Sequence, residues 1–309
     1  MDEIAKAVEE AVGVDGSSEL ACAKINLALH VGARRIDGYH RLESVVVFAD
    51  LADVVSAVPA PKEAGTSLAI RGPFADLLGE TTAQSANLAW RAADELARIA
   101  PKRKAGPVRL TLTKRIPVAG GLGGGSADAA ATLRLLNRLW HLKLKPEKLA
   151  EIGLTLGADV PMCLVSQPLV ARGIGEAITP LAGVPALPIV LAHPGTGMST
   201  AQVFARLEEK ERGPLPDLPA KFATPLDLIF WLRQTRNDLE APANAVSRKA
   251  TAAAKALARD PDCFFARMSG SGSAAFGVFI NYAAAERAAA RLAAEKRDWW
   301  VATAVTRAS

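Results

Sequence analysis

The stretch VAGGLGGGSADAAATL, residues 118–133, sets five glycines within the six positions from Gly120 to Gly125 and then turns helical. Glycine loses more conformational freedom on folding than any other residue. Five in one short loop mean either a slack connection or a backbone that something approaches too closely for side chains. Leu133, Leu136 and Trp140 recur at helical spacing, with Leu135 and Leu139 beside them, so a helix is predicted to begin at Ser126. A glycine loop feeding a helix N-terminus presents amide N–H groups and the positive end of the helix dipole, which suits phosphate. The slack-connection alternative stays open at this level.

Familiar phosphate-binding templates do not fit. Gly120 and Gly125 have the spacing of a P-loop, but Ser126 stands where that motif needs lysine. A dinucleotide fingerprint on Gly121 and Gly123 would require Ser126 as its third small residue, and the region about twenty positions on still reads as helix. The HRD and DFG signatures of protein kinases are absent.

Outward from the loop, LACAKINLALHV (residues 20–31) alternates apolar and polar residues, the mark of a strand with Lys24, Asn26 and His30 on one face. RRIDGYHR follows as a turn centred on Asp37-Gly38. LESVVVFADLADVVSAV, SLAI and VRLTLTKR read as strands. NLAWRAADELARIA reads as an amphipathic helix capped by Asn87, and KPEKLAEIGLTLG as a helix ending at Gly157. LPIVLAHP opens a second half near residue 185. RGPLPDLPAKFATP (residues 212–225) reads as a loop, NAVSRKATAAAKALARD and NYAAAERAAARLAAEKRD as Ala-rich helices, and AAFGVF and WWVATAV as strands. Strands and helices mix without regular alternation, so the fold class is α+β, with a domain boundary near residues 165–185.

Composition narrows the function. The chain has 309 residues, half of them hydrophobic, enough for one large core or two ordinary ones. No apolar run has the length of a membrane span, and the acidic start MDEIAKAVEEAVG lacks the pattern of a secretory signal. Three scattered cysteines form no disulfide framework and suit a reducing, cytoplasmic setting; the four histidines lack ligand spacing. A net charge of +5 suits anionic ligands, but the basic residues are dispersed. Only KRK at 102–104 is dense, and it reads as a solvated loop, so no nucleic-acid partner is expected.

The loop PVAGGLGGGSADAAATL resembles the second motif of the galactokinase–homoserine kinase–mevalonate kinase–phosphomevalonate kinase (GHMP) superfamily. RMSGSGSAAFGVF (residues 267–279) resembles its third. AKINLALHVGARRIDGYHRLESVVVFADLAD (residues 23–53), LTLGADVPMCL (residues 154–164) and RNDLEAPA (residues 236–243) are similar to the branch acting on 4-diphosphocytidyl-2-C-methyl-D-erythritol. Five segments in order, spread over nearly the whole chain from Ala21, are far more specific than one glycine loop.

The resemblance implies a two-domain GHMP fold with the active site in the cleft between domains. Residues 1–20 would be an extension, 21–175 the ATP-binding domain and 176–309 the substrate domain. The implied activity is ATP-dependent phosphorylation of that substrate's 2-hydroxyl in non-mevalonate isoprenoid synthesis. Homoserine or mevalonate as acceptor is the alternative. ATP and Mg2+ are the implied cofactors, a cytidine diphosphate-linked molecule the partner, and monomer or homodimer the state.

By the same resemblance Pro117, Gly120, Gly121, Leu122, Gly123, Gly124, Gly125 and Ser126 cradle the ATP phosphates, with Ser85 and Asn87 on the nucleotide. Ser126 is also the one implied metal ligand, although it could equally be a helix cap. Asp159 would be the general base, although its place before Val160-Pro161 also suits an ordinary turn. Lys24 would keep Asp159 ionised and offset charge at the hydroxyl, with Asn26 positioning substrate. Tyr39 and Phe204 would stack on the cytosine and His40 hydrogen-bond to it, while simple core packing serves Phe204 as well. Gly270, Ser271 and Gly272 would line the site.

Overall fold

Strand β1 (Ser18–Arg34) realises the alternation of residues 20–31, in a computed structural model that describes residues 17–36, 38–78, 84–102, 104–208 and 213–309. Every residue from Ala21 to Val31 is buried, so Lys24, Asn26 and His30 are enclosed together with their apolar neighbours. β2 (His40–Pro59) pairs with β1. In the turn between them Gly38 takes a φ of +87°, and its N–H bonds to Arg35 O at 3.0 Å. Asp37, like Arg103 of the KRK run and Arg212, lies outside the described residues. So do residues 1–16 of the expected extension, while residues 18–20 already form the start of β1.

The chain divides into two compact units interleaved in sequence. One takes the chain up to Ala23 with residues 52–118 and 124–165; the other takes residues 24–51, 119–123 and 166–309. β1 and β2 run through both, and the glycine loop passes from one to the other at the Gly123–Gly124 bond.

In the first unit β3 (Ser67–Arg71) lies parallel to β4 (Val108–Thr113), which pairs antiparallel with the second half of β2, Val54 opposite Thr113. Helix α1 (Leu88–Ile99) is capped by Asn87 as expected, its side chain accepting from Ala89 N–H at 2.9 Å, an interaction typically worth about 1 kcal/mol. Ala89, Ala92, Ala93 and Leu96 form its buried stripe. Helix α2 (Gly124–Leu139) starts two residues earlier than Ser126, directly after Gly123, whose φ of +65° cannot continue a right-handed helix. Ser126 therefore lies inside the first turn and is not its cap. On α2, Arg134 and Arg138 stand one turn apart and both hold Glu19, at 2.9 and 2.8 Å. Helix α3 (Pro146–Leu156) ends at Gly157, the cap read from sequence, and α4 (Val160–Val165) follows.

In the second unit the first half of β2 pairs antiparallel with β5 (Leu169–Gly173), and β5 with β6 (Ala177–Pro180). A separate antiparallel sheet has the order β10–β7–β9–β8, from β7 (Pro188–His193), β8 (Cys263–Met268), β9 (Ala275–Phe279) and β10 (Trp300–Val305). The short helix α5 (Thr200–Phe204) follows β7. The Pro-rich loop ends at Thr224, where a Thr224–Asp227 capping box and Pro225 start α6 (Pro225–Leu232), a helix not anticipated above although its signals are local. The segment read as one helix from Asn244 is instead two, α7 (Glu240–Val246) and α8 (Ala252–Leu257). Ser247 is extended between them, at φ −149° and ψ 125°, and breaks the run. Ala253, Ala254 and Leu257 of α8 and Ala284, Ala285 and Ala288 of α9 (Tyr282–Glu295) pack on Val190, Ala192, Ala275 and Phe279 of the sheet. The α+β class holds.

Two buried histidines make this unit sensitive to acid. His30 Nδ1 lies 2.9 Å from Pro214 O, and its Nε2 accepts from Arg236 N–H at 3.2 Å, so the ring is neutral. Burial lowers its pKa from 6.5, reinforced by Arg236; burial likewise lowers that of His193. The stability held by neutral rings is complete above pH 6.5 and is lost as the pH falls through the lowered values. Melting temperature should decline on acidification below that point, and His30→Gln should flatten the decline. An unchanged slope in the variant would exclude His30 as a cause.

Candidate active site

Three sequence motifs converge in the second unit. Lys24 N–H bonds to Leu122 O at 2.9 Å, so β1 is tied to the glycine loop through the backbone. Lys24 Nζ donates to Asn26 Oδ1 at 3.1 Å, and Asn26 Nδ2 donates to Ser44 Oγ at 2.8 Å, which fixes the carboxamide in one orientation. Asn26 N–H donates to Ser269 Oγ at 3.2 Å, and that hydroxyl donates to Gly121 O at 3.0 Å. Ala274 N–H reaches Gly120 O at 2.8 Å. Lys24, Asn26, residues 120–123 and the 269–272 turn thus form one hydrogen-bonded cluster.

Two of the loop glycines are explained here. A Cβ on Gly121 (φ +80°) would lie 2.4 Å from Ser269 O, inside any real contact. A Cβ on Gly123 (φ +65°) would press within 3.1 Å of Cβ and Cε of Lys24. The loop is therefore packed against the buried lysine and the third motif, and is not slack. Gly270 O accepts from Asn237 Nδ2 at 2.8 Å, Gly272 N–H from the same turn bonds to Ser269 O at 3.0 Å, and Ser271 Oγ lies 2.9 Å from Thr200 Oγ.

Also in this unit, the His40 and Phe204 rings lie 5.9 Å apart at a tilt of 37°, and His40 Nδ1 is 3.3 Å from Gly32 O. Phe204 is delivered by α5, whose N-cap is Ser199. Tyr39 stands at the mouth of the β1–β2 turn with 59% of its surface exposed. The ring pair seen is thus His40 with Phe204, with Tyr39 adjoining in sequence.

The first unit holds the remaining residues. Gly124, Gly125 and Ser126 make the first turn of α2, whose amide N–H groups have no partner inside the helix. Gly125 is exposed, and a Cβ there would meet only Leu88 Cδ1, at 3.5 Å. Asn87 next to Leu88 spends its carboxamide oxygen on the α1 cap, and Ser85 is exposed in a single 3-10 turn (Gln84–Ala86). Pro117 is buried in this unit, as Gly120 and Leu122 are in the second. Asp159 is half-buried between α3 and α4, its carbonyl accepting from Cys163 N–H at 3.2 Å. It occupies the turn position its local sequence suggests. The sequence does not single out Ser269, which bridges the cluster above, nor Asp53, Lys114 and Asp128, which are joined through Lys114 Nζ in the first unit. Ser269 lies inside the SGSGS run and Lys114 two residues before Ile116 at the loop, but nothing local marks their partners.

The family model described as "GHMP kinases N terminal domain" matches residues 87–167, and "GHMP kinases C terminal" matches residues 222–298. The chain belongs to the GHMP kinases. It is 46% identical over 290 residues, covering 94% of this chain and 96% of the relative, to the 4-diphosphocytidyl-2-C-methyl-D-erythritol kinase of Chelativorans sp. (strain BNC1). To the kinase of the same name from Rhizobium johnstonii it is 47% identical over 92% of this chain and 91% of that one. A crystal structure of 4-(cytidine 5'-diphospho)-2C-methyl-D-erythritol kinase matches with TM-score 0.74 at 33% identity, covering 94% of this chain and all 100% of that one. Homoserine kinase from Cytophaga hutchinsonii shares the fold at TM-score 0.65 and 16% identity, covering 94% and 95% of the two chains.

The two kinds of glycine separate experimentally. Gly121→Ala should destabilise the protein by roughly 1–3 kcal/mol through backbone strain and the clash with Ser269 O. Gly125→Ala, whose Cβ would make only an ordinary contact with Leu88 Cδ1, should leave stability within about 0.5 kcal/mol. Urea unfolding of both variants checks the contrast; equal losses would contradict it.

Proposed function

We infer that this kinase transfers a phosphoryl group from ATP to the 2-hydroxyl of 4-diphosphocytidyl-2-C-methyl-D-erythritol, a step of non-mevalonate isoprenoid synthesis. The carrying observation is identity of nearly half the residues, over almost the full length of both chains, to kinases named for that substrate. Homoserine or mevalonate as acceptor is disfavoured, because likeness to the homoserine kinase extends to the fold alone.

Residue roles follow as part of the same proposal. The first turn of α2, Gly124 to Ser126, directs its unpaired amides and the helix dipole at the phosphates of ATP. Residues 117–123 shape the approach, with Ser85 and Asn87 beside the nucleotide. When bound, ATP with Mg2+ supplies the phosphoryl group, and the metal neutralises phosphate charge. The Ser126 hydroxyl, in the same first turn of α2, is the protein ligand proposed for Mg2+. Asp159 takes the proton from the acceptor hydroxyl as its oxygen bonds to phosphorus and ADP leaves. Lys24, held by Asn26, offsets negative charge at that oxygen. Tyr39, His40 and Phe204 hold the cytosine; Gly270, Ser271 and Gly272 line the site.

The boundary between ATP-binding and substrate halves is proposed at residues 175/176. No described helix is long and apolar enough to cross a membrane. A cytoplasmic enzyme, monomeric or homodimeric and without a nucleic-acid partner, completes the proposal.

A coupled ADP-release assay tests the activity: turnover is expected with the cytidine substrate and not with homoserine or mevalonate. Asp159→Ala should cut kcat by at least about 10²-fold while ADP still binds. Tyr39→Ala should raise KM for the cytidine substrate about tenfold, the equivalent of one lost stacking contact. Turnover close to wild type in the Asp159 variant would refute the base assignment.

A further inference from the structure

Beneath the start of α2, wholly within the first unit, three ionisable side chains are buried together. Lys114 is 3% exposed, Asp53 0% and Asp128 3%. Lys114 Nζ bonds to Asp53 Oδ2 and, at 2.8 Å, to Asp128 Oδ2. Asp53 Oδ1 accepts from the N–H groups of Arg115 and Ile116. Asp128 Oδ1 is buried without a hydrogen-bond partner. Burial pushes the Asp128 carboxyl up to about 8, against the pull of Lys114; Lys114 itself is raised, because the two carboxylates outweigh its own burial.

Such a network is a poor stabiliser. Removing ions from water is costly, and replacing a buried ionic cluster by apolar groups is often neutral or stabilising. An unsatisfied oxygen adds a further penalty. Stability does not account for the cluster, but its place does. Asp53 grips the backbone at residues 115 and 116, where the chain leaves β4 for the loop. Asp128 lies four residues after Gly124, on the same face one turn into α2, where the chain leaves the loop. Lys114 joins the two. A Cβ on Gly124 would lie 3.3 Å from Lys114 Nζ and 3.7 Å from Asp53 Oδ2, so the cluster sits directly against the first helical residue.

We propose that Asp53, Lys114 and Asp128 are positioning residues for nucleotide binding, clamping both ends of the glycine loop so that the Gly124–Ser126 amides are preset for a polyphosphate. They touch no substrate; they act through the backbone. The proposal rests on the assignment of the ATP phosphates to this turn.

Asp128→Ala is the informative variant, because it cuts the link to α2 yet leaves Lys114 paired with Asp53, and alanine is the best helix former. The readouts are ADP affinity by titration calorimetry, KM for ATP and for the cytidine substrate, and melting temperature. We expect ADP affinity and KM for ATP to worsen about tenfold, with KM for the cytidine substrate within about twofold and the protein folded. Asp128→Asn, which keeps an oxygen for Lys114, should restore ADP affinity to within about twofold of wild type. Should Asp128→Ala fail to fold, Asp128→Leu fills the space and is read identically. Wild-type ADP affinity in the alanine or leucine variant, or equal losses for both substrates, overturns the proposal. Wild-type protein that binds no ADP overturns instead the assignment of the loop, and the proposal with it.

Discussion

One hydroxyl holds together the three segments of the second unit on which the rest depends. Ser269 Oγ accepts the amide proton of Asn26 and donates to the carbonyl of Gly121. It is fully buried, so both backbone groups would lose their partners without it. Through this contact the strand bearing Lys24, the glycine loop and the glycine turn at 270–272 share one frame. A net hydrogen bond contributes only about 1 kcal/mol, but leaving buried groups unpaired costs about 1–3 kcal/mol each. The constraint is therefore geometric more than energetic: the segments meet in one arrangement because the alternatives strand polar groups away from water.

The same constraint explains the glycines. Their concentration looks like a ligand-binding device, and part of it serves packing within the protein. Gly121 is excluded from carrying a side chain by Ser269 O, while Gly123 combines a φ of +65° with a tight approach to the stem of Lys24. Gly125 alone stands exposed, where only Leu88 is near. One loop thus answers two demands, a close approach of backbone to its own protein at its first half and an open, amide-lined turn at its second.

Much of this was legible in the chain. Alternation announced β1, Asn87 announced the start of α1, and Gly157 the end of α3, because each signal lies within a few residues of its effect. The start of α2 was misplaced at Ser126, since side-chain periodicity marks a helix's apolar face but not its first turn. The single helix expected from Asn244 failed at Ser247, because alanine-rich composition favours helix everywhere and cannot show where tertiary packing turns the chain. Helix α6 hides at the end of a Pro-rich loop, although Thr224, Pro225 and Asp227 spell its cap.

Sequence by itself determined the family, the α+β class and the residue types available for phosphoryl transfer, since these rest on local pattern and on five motifs in order. Only the tertiary structure decided which groups are spent on holding the site. Asn87 caps a helix, Ser269 bridges two motifs, and Lys114 lies between Asp53 and Asp128 across 61 and 14 residues of chain. Hydrogen bonds and ion pairs depend on distance in space, and separations of that size along the chain leave no trace in local pattern.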